Sequence, residues 1–207
     1  RLRDGASVGS LCLIDYAPRE FSAADLAVLG DLGALAEDEF AAISAATTDE
    51  LTGLFNRRGF NQLVRFTLSV ARRRAEPLTL GWLDLDRFKE INDRYGHEEG
   101  DKALKVMAQL MRSAFREADM LVRFGGDEFA VIMSGTPADS AIAAMSRVHE
   151  RLVNMPLHGA PTARLCISVG VAPWGAQFTH YREWLKAADV ALYKAKNAGR
   201  GRTEVAA

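Results

Sequence analysis

The sequence predicts an α/β fold with a mixed or antiparallel sheet and helices, preceded by a short N-terminal strand and a long helix. Three observations carry this. From about residue 57 to residue 198, apolar runs of strand length alternate with amphipathic stretches of helical period. Two of those runs, Met120 to Phe124 and Phe129 to Met133, are separated only by Gly125-Gly126-Asp127-Glu128. That is hairpin spacing, which a purely parallel, doubly wound sheet lacks. Finally, 48% hydrophobic and 26% charged residues over 207 positions is close to the balance of typical globular chains. A chain of this length buries about 70% of its unfolded surface and needs no metal or disulfide to fold.

Taken in order, Val8 to Ile14 reads as a short buried strand, ended by Asp15 and a turn around Pro18. A long helix follows. Ser22 is a suitable N-cap with Asp25 three residues on, close to a capping box, and Phe21 and Leu26 occupy the staple positions. Leu26, Leu29, Gly33, Ala36, Phe40, Ile43 and Thr47 then recur at alternating steps of three and four, a heptad seam weakened at Gly33 and Thr47. Val28, Leu32 and Leu35 form a second stripe. Such a helix is either the core helix of one domain or a parallel, dimerising connector, and the polar, Gly-containing break after it favours the connector. The expected division is therefore residues 1–21, 22–47 and 48–207.

Beyond that break a helix is expected from Arg57 to Arg74, where Arg72, Arg73 and Arg74 suit a helix C-terminus. Leu78 to Leu85 is a near-continuous apolar strand, followed by a short helix to Tyr95 and a longer one from about Glu98 to Arg116. After the hairpin, Thr136 as cap and Pro137 at the first helical position start a helix that ends near Met155. Ala163 to Val171 is another strand. Arg182 to Ala198 is the last helix, with Gly199 at its end.

Twenty-six Lys and Arg against 27 Asp and Glu leave a net charge of −1, which excludes general affinity for nucleic acid or anionic membrane. Cys12 and Cys166 lie far apart in apolar runs without metal-ligand spacing, pointing to buried, reduced thiols and a cytoplasmic location. No apolar stretch approaches the ~18 residues of a membrane span, and no signal peptide is present. The opening Arg1-Leu2-Arg3-Asp4-Gly5, without an initiator Met, predicts a piece of something longer. His149, His158 and His180 form no cluster and are assigned nothing.

Chemistry concentrates in the carboxylates. Asp84 and Asp86 end a buried strand, where a charge is costly unless paired or bound to a cation. Asp127 and Glu128 sit in a tight turn between two other apolar strands, so both acidic pairs can converge on one sheet edge. Hard oxygen ligands of this kind suit Mg²⁺, with substrate phosphates completing its shell. Gly125 and Gly126 permit positive φ and close approach of a ligand to the backbone. Alone, the same residues also describe a solvated acidic turn.

The surrounding pattern is more specific. The segments Asp84-Leu-Asp-Arg-Phe-Lys-Glu-Ile-Asn-Asp-Arg-Tyr-Gly-His-Glu-Glu-Gly-Asp101 and Arg123-Phe-Gly-Gly-Asp-Glu-Phe129 together closely resemble the GGDEF family of diguanylate cyclases. Asp49-Glu-Leu-Thr-Gly-Leu-Phe-Asn-Arg-Arg58 is similar to that family's opening motif, and Ala188-Asp-Val-Ala-Leu-Tyr-Lys-Ala-Lys-Asn-Ala-Gly-Arg200 to its closing helix. One departure is Gly201, where members commonly carry Asn. The resemblance implies a central, mainly antiparallel five-stranded sheet like the palm of nucleotide cyclases, and condensation of two GTP into cyclic di-GMP with release of pyrophosphate.

Carried over residue by residue, it implies that Asp84, Asp127, the Leu85 carbonyl and Glu128 ligate Mg²⁺, with Mn²⁺ as an alternative. Asp127, Glu128 and Lys89 would serve catalysis. Lys89, Lys196, Arg200 and backbone amides near Phe88 would hold the triphosphate. Asn92 and a buried Asp101 would read guanine, whose N1–H and amino group are donors that adenine does not pair together, so adenine would leave the carboxylate unpaired. His97 would touch the nucleotide or fix its loop. Arg116 and Asp119 match the family's inhibitory site for product cyclic di-GMP, although an i, i+3 pair alone is most often a surface ion pair.

One nucleotide site per copy and a two-nucleotide product imply a homodimer, tethered through the connector helix. Val8-Gly-Ser-Leu-Cys-Leu-Ile-Asp15 and Phe21-Ser-Ala-Ala-Asp-Leu26 resemble the tail of a GAF sensor domain. The competing expectation is a catalytically silent GTP or cyclic di-GMP receptor with the same fold.

Overall fold

The structure, a computed structural model, describes residues 9–12, 14–18, 20–157, 159–160 and 162–206. It divides into two compact units, Arg1–Ala46 and Thr47–Ala207. In the first, helix α1 (Ala23–Thr47) dominates. Its start is a capping box. Ser22 Oγ accepts the Asp25 N–H at 3.2 Å, and the Ser22 N–H donates to the Asp25 carboxylate at 2.8 Å. Leu26, Val28, Leu32, Leu35, Phe40 and Ile43 are exposed along this helix.

The strand expected over Val8 to Ile14 does not form in the described part. Residues 9–12 and Ile14 have no strand pairing, and Ile14 is 93% exposed; Val8 and Leu13 lie outside the described residues. A single strand has no neighbour to satisfy its amides and no sheet against which to bury its side chains.

The second unit is built on β1 (Leu78–Leu85), β2 (Met120–Gly125), β3 (Glu128–Ser134), β4 (Ile167–Pro173) and β5 (Thr203–Val205), arranged in the order β2-β3-β1-β4-β5. Every pairing is antiparallel except β4 with β5. Central β1 is buried along its whole length, which is why its sequence is largely apolar. Alternate residues feed two cores. Leu80 and Trp82 pack with α2 (Arg57–Arg74) and α6 (Tyr181–Asn197) through Phe60, Val64 and Trp184. Leu83 and Leu85 pack with α4 (His97–Ala114) and α5 (Ala138–Val153) through Met107, Leu110 and Met145. The short helix α3 (Phe88–Tyr95) leads from the end of β1 into α4. At Gly170 of β4 a Cβ would overlap the backbone of α6 at Ala188, so glycine sets how closely that helix lies on the sheet.

Two boundaries differ from expectation. Strand β4 begins at Ile167 rather than Ala163, because the Ala163 N–H closes a turn onto the Ala160 carbonyl at 2.9 Å. The cap of α5 is Pro137, in an extended conformation, and not Thr136. The Thr136 hydroxyl donates to the Ser134 carbonyl at 3.2 Å instead.

Candidate active site

The ends of β1 and β3 bring the two acidic pairs together. Asp84 is the register partner of Glu128, and the Asp127 carbonyl accepts the Leu85 N–H at 3.3 Å. Between β2 and β3 the chain reverses at Gly125 and Gly126, whose φ values of +140° and +53° disfavour any side chain. Arg123 braces this turn. Its Nε and Nη2 donate to the Gly126 carbonyl at 3.0 and 2.8 Å, while Nη1 donates to both Asp49 oxygens at 2.9 and 3.0 Å. Burial pushes the Asp49 carboxyl up, but hydrogen bonds from Thr52 and Arg123 outweigh it and hold the group below its usual range.

Asp84 is only 6% exposed. Its carboxyl is pushed up to about 6, by burial first and then by the Asp127 and Asp86 carboxylates, against the pull of a hydrogen bond from Lys196. Lys196, in the last turn of α6, places Nζ 2.8 Å from Asp84 Oδ2. A buried carboxylate that faces a second one and has recruited an ammonium is a site that favours a cation. Among the described residues no three His, Cys, Asp or Glu side chains gather around one point. Glu128 therefore does not complete a three-carboxylate cluster with Asp84 and Asp127. Two facing carboxylates suit a divalent ion that retains waters and takes substrate oxygens.

Asp86 has a different task. Its carboxylate accepts the Ser168 hydroxyl at 2.7 Å and the Gly201 N–H at 3.0 Å, tying the end of β1 to the loop after α6. Gly201 has φ +58°, a conformation that Gly and Asn adopt most readily, so the departure at this position keeps the geometry.

Phe88 and an exposed Lys89 open α3; no side chain caps this helix, while the Glu90 N–H donates to the Arg87 carbonyl at 2.9 Å. Arg200 is exposed just past α6. Asn92 is half-buried, and a Cβ on Gly100 would overlap its amide oxygen, so the Asn92 side chain lies on the first turns of α4 beside Asp101. Asp101 is exposed rather than buried as expected, because it sits on the outer side of that first turn. A bound base would have to supply the burial on which its discrimination depends. His97, the first residue of α4, is also exposed.

Arg116 and Asp119 are not joined side chain to side chain. The Asp119 carboxylate accepts the backbone N–H groups of Arg116 at 2.9 Å and of Ser134 at 3.1 Å, so it shapes the turn and leaves the guanidinium exposed. Both residues line a cavity of about 340 Å³ that also contains Arg147 of α5. Sequence reasoning missed Arg147, the Arg123–Asp49 brace and the bracing task of Asp86. The brace and Asp86 left traces, as charged residues inside recognised motifs, whereas Arg147 left none.

The profile of the family described as "Diguanylate cyclase, GGDEF domain" matches residues 46–202. The probable diguanylate cyclase DgcC of Escherichia coli K12 is 54% identical over 162 residues, 78% of this chain and 44% of its own length. Diguanylate cyclase DgcP of Pseudomonas aeruginosa is 40% identical over 165 residues, 78% of this chain and 24% of its own. The chain thus spans less than half the length of these curated relatives. Among solved structures, the coiled coil and GGDEF domain of DgcB from Caulobacter crescentus, in complex with c-di-GMP, matches with a TM-score of 0.81 at 27% identity, covering 88% of this chain and 98% of that one. The matched region holds all but the last strand of the sheet and every residue that meets at the Asp84 edge, and the chain belongs to the GGDEF diguanylate cyclase family.

Proposed function

We propose that this chain condenses two GTP molecules into cyclic di-GMP, releasing two pyrophosphates, at a site completed by a second copy. The observation that carries the reading is the buried Asp84, beside Asp127 and in contact with the Lys196 ammonium. A divalent ion, Mg²⁺ or Mn²⁺, held by Asp84, Asp127 and the Leu85 carbonyl would supply charge stabilisation at the α-phosphate and the departing pyrophosphate. Glu128 lies at the same strand end and is assigned with them.

The remaining work falls to the chain's own groups. The uncapped amides at Phe88 and Lys89, with the Lys89, Lys196 and Arg200 side chains, grip the triphosphate. Asn92 and Asp101 orient guanine, with His97 at the rim. The Arg123–Asp49 brace holds the Asp127 turn at fixed distance from Asp84. In-line attack then requires a 3′-hydroxyl from a nucleotide on a facing copy, because each chain holds one guanine slot.

The exposed apolar residues of α1 support a role for residues 22–47 as the connector that keeps two copies together. The coiled coil named in the DgcB structure agrees with it. Residues 1–21 are assigned to the tail of a GAF-type sensor. Among the described residues no helix is long and apolar enough to cross a membrane. Product inhibition is assigned to Arg116 and Asp119, joined by Arg147 in one cavity.

Incubation with GTP and Mg²⁺ followed by nucleotide chromatography tests the reading. Cyclic di-GMP and pyrophosphate should accumulate, and Asp127→Ala should yield neither while unfolding like the parent. GTP binding without pyrophosphate release would instead identify a silent receptor.

A further inference from the structure

A cavity of about 480 Å³ is walled by Arg87, Glu90 and Arg94 at α3, by Arg164, and by Arg200. It takes in neither Lys89 nor Asn92, so by helical period it opens on a different flank of α3 from the guanine slot. Four guanidinium groups share it with two carboxylates, and those carboxylates do little to neutralise them. Asp86 is committed to Ser168 and Gly201. Glu90 stands 4.0 Å from Arg87, with both side chains largely in solvent. Among the described residues, Arg94, Arg164 and Arg200 have no carboxylate within ion-pairing distance.

The wall is also fixed. The Arg94 guanidinium lies over the Tyr95 ring, 5.2 Å from its centroid, and the Tyr95 hydroxyl is hydrogen-bonded to Thr162. Arg87 and Arg200 hold φ values of 58° and 63°, where glycine or asparagine would be less strained. Ala75, at the end of α2, is the other non-glycine described residue with positive φ. Two of three such positions thus carry arginine on the same cavity, both at helix ends: Arg87 is the N-cap of α3, and the Arg200 N–H bonds back to the Ala195 carbonyl past α6.

We propose that this cavity is a second anion site, binding an oligophosphate through Arg87, Arg94, Arg164 and Arg200, next to the triphosphate position and linked to it by Arg200. Planar guanidinium forks suit phosphate oxygens, and clustered cations with few counter-ions gain most from a multiply charged anion. The volume admits a free pyrophosphate or a nucleoside diphosphate. The consequence for turnover, that a bound anion draws Arg200 away from GTP, rests on the cyclase reading; the binding itself does not.

The test is calorimetric titration of the whole chain with inorganic pyrophosphate, with ADP and with GTP, comparing it with the Arg94→Ala/Arg164→Ala variant. ADP is chosen because adenine does not satisfy the Asp101 slot. Both replaced residues are exposed, and thermal unfolding of the variant checks that the fold is kept. The variant should bind pyrophosphate or ADP at least fivefold more weakly, with GTP affinity changed less than twofold. Loss chiefly of ADP binding identifies a nucleoside-borne ligand, and loss chiefly of pyrophosphate binding identifies the free anion; either supports the site. Unchanged binding of both anions overturns it. An equal loss for GTP also overturns it, since the cavity would then belong to the substrate site. If no cyclic di-GMP forms, these titrations still report on the cavity.

Discussion

Replacing Asp84 with Asn should stabilise the metal-free protein while abolishing turnover. In the folded chain the carboxyl is pushed from 3.8 to about 6, chiefly by burial and by the neighbouring Asp127. That displacement amounts to about 3 kcal/mol against the ionised form. It already contains the opposing pull of Lys196, so Asn, a neutral isostere of the protonated acid, should recover up to about 3 kcal/mol at pH 8. For a domain of this size that raises the melting temperature by about 6 to 12 °C. The folded value lies above the unfolded one, so the contribution of Asp84 is fully present below pH ~4 and is lost as pH rises through about 6. The stability gap between the variant and its parent should therefore vanish in acid and open across that window. Mg²⁺ should narrow it by stabilising the parent alone. Thermal melts at several pH values, with and without Mg²⁺, measure all of this. A variant no more stable than its parent at pH 8, or a gap independent of pH, would refute the view of Asp84 as a strained, cation-seeking carboxylate.

Asp49→Asn should leave the Arg123 guanidinium without its charged partner, costing about 2 kcal/mol in chemical denaturation. By loosening the Asp127 turn it should lower kcat more than it raises KM. Arg116→Ala and Arg147→Ala should each keep progress curves linear at product levels that slow the parent, and curvature equal to the parent's would count against the inhibitory site. A chain beginning at Thr48 should lose at least tenfold in specific activity at micromolar concentration and regain it as concentration rises. Equal activity at low concentration would remove the connector from the account of dimerisation.

Much of the architecture was legible because β1 advertises itself. A strand buried on both faces must be largely apolar, and its one charge, Asp84, falls where it leaves the sheet, with Asp86 just beyond it. The Gly125-Gly126 turn was equally plain, since positive φ there restricts the sequence. Strand β5 was harder to place because three residues, Thr203–Val205, are too few to show a period. The Asp49–Arg123 pair could not be read because it joins positions 74 apart through a contact that only the folded sheet creates. Arg147 escaped for the same reason. On α5 it is one more surface cation until the turn carrying Arg116 folds against it. Asp101 was expected to be buried from what its chemistry would need, whereas on the first turn of α4 it is exposed.

The position of Lys196 ties these strands of reasoning together. Its ammonium lies 2.8 Å from Asp84 Oδ2 in the folded chain, a direct ion pair. Two positive charges at one buried carboxylate repel each other, so on the proposed reading a divalent ion there favours release of Lys196. Displaced from Asp84, the side chain remains anchored at the end of α6, about one turn from Arg200, with the triphosphate position as its nearest anionic neighbour. Metal loading and phosphate capture would then be a single coupled event. Lys196→Met should consequently weaken GTP binding while raising affinity for the divalent ion alone, opposite effects that a purely phosphate-binding lysine would not produce. If the variant lost affinity for both, Lys196 would have to be regarded as part of the metal site's support, not as its competitor.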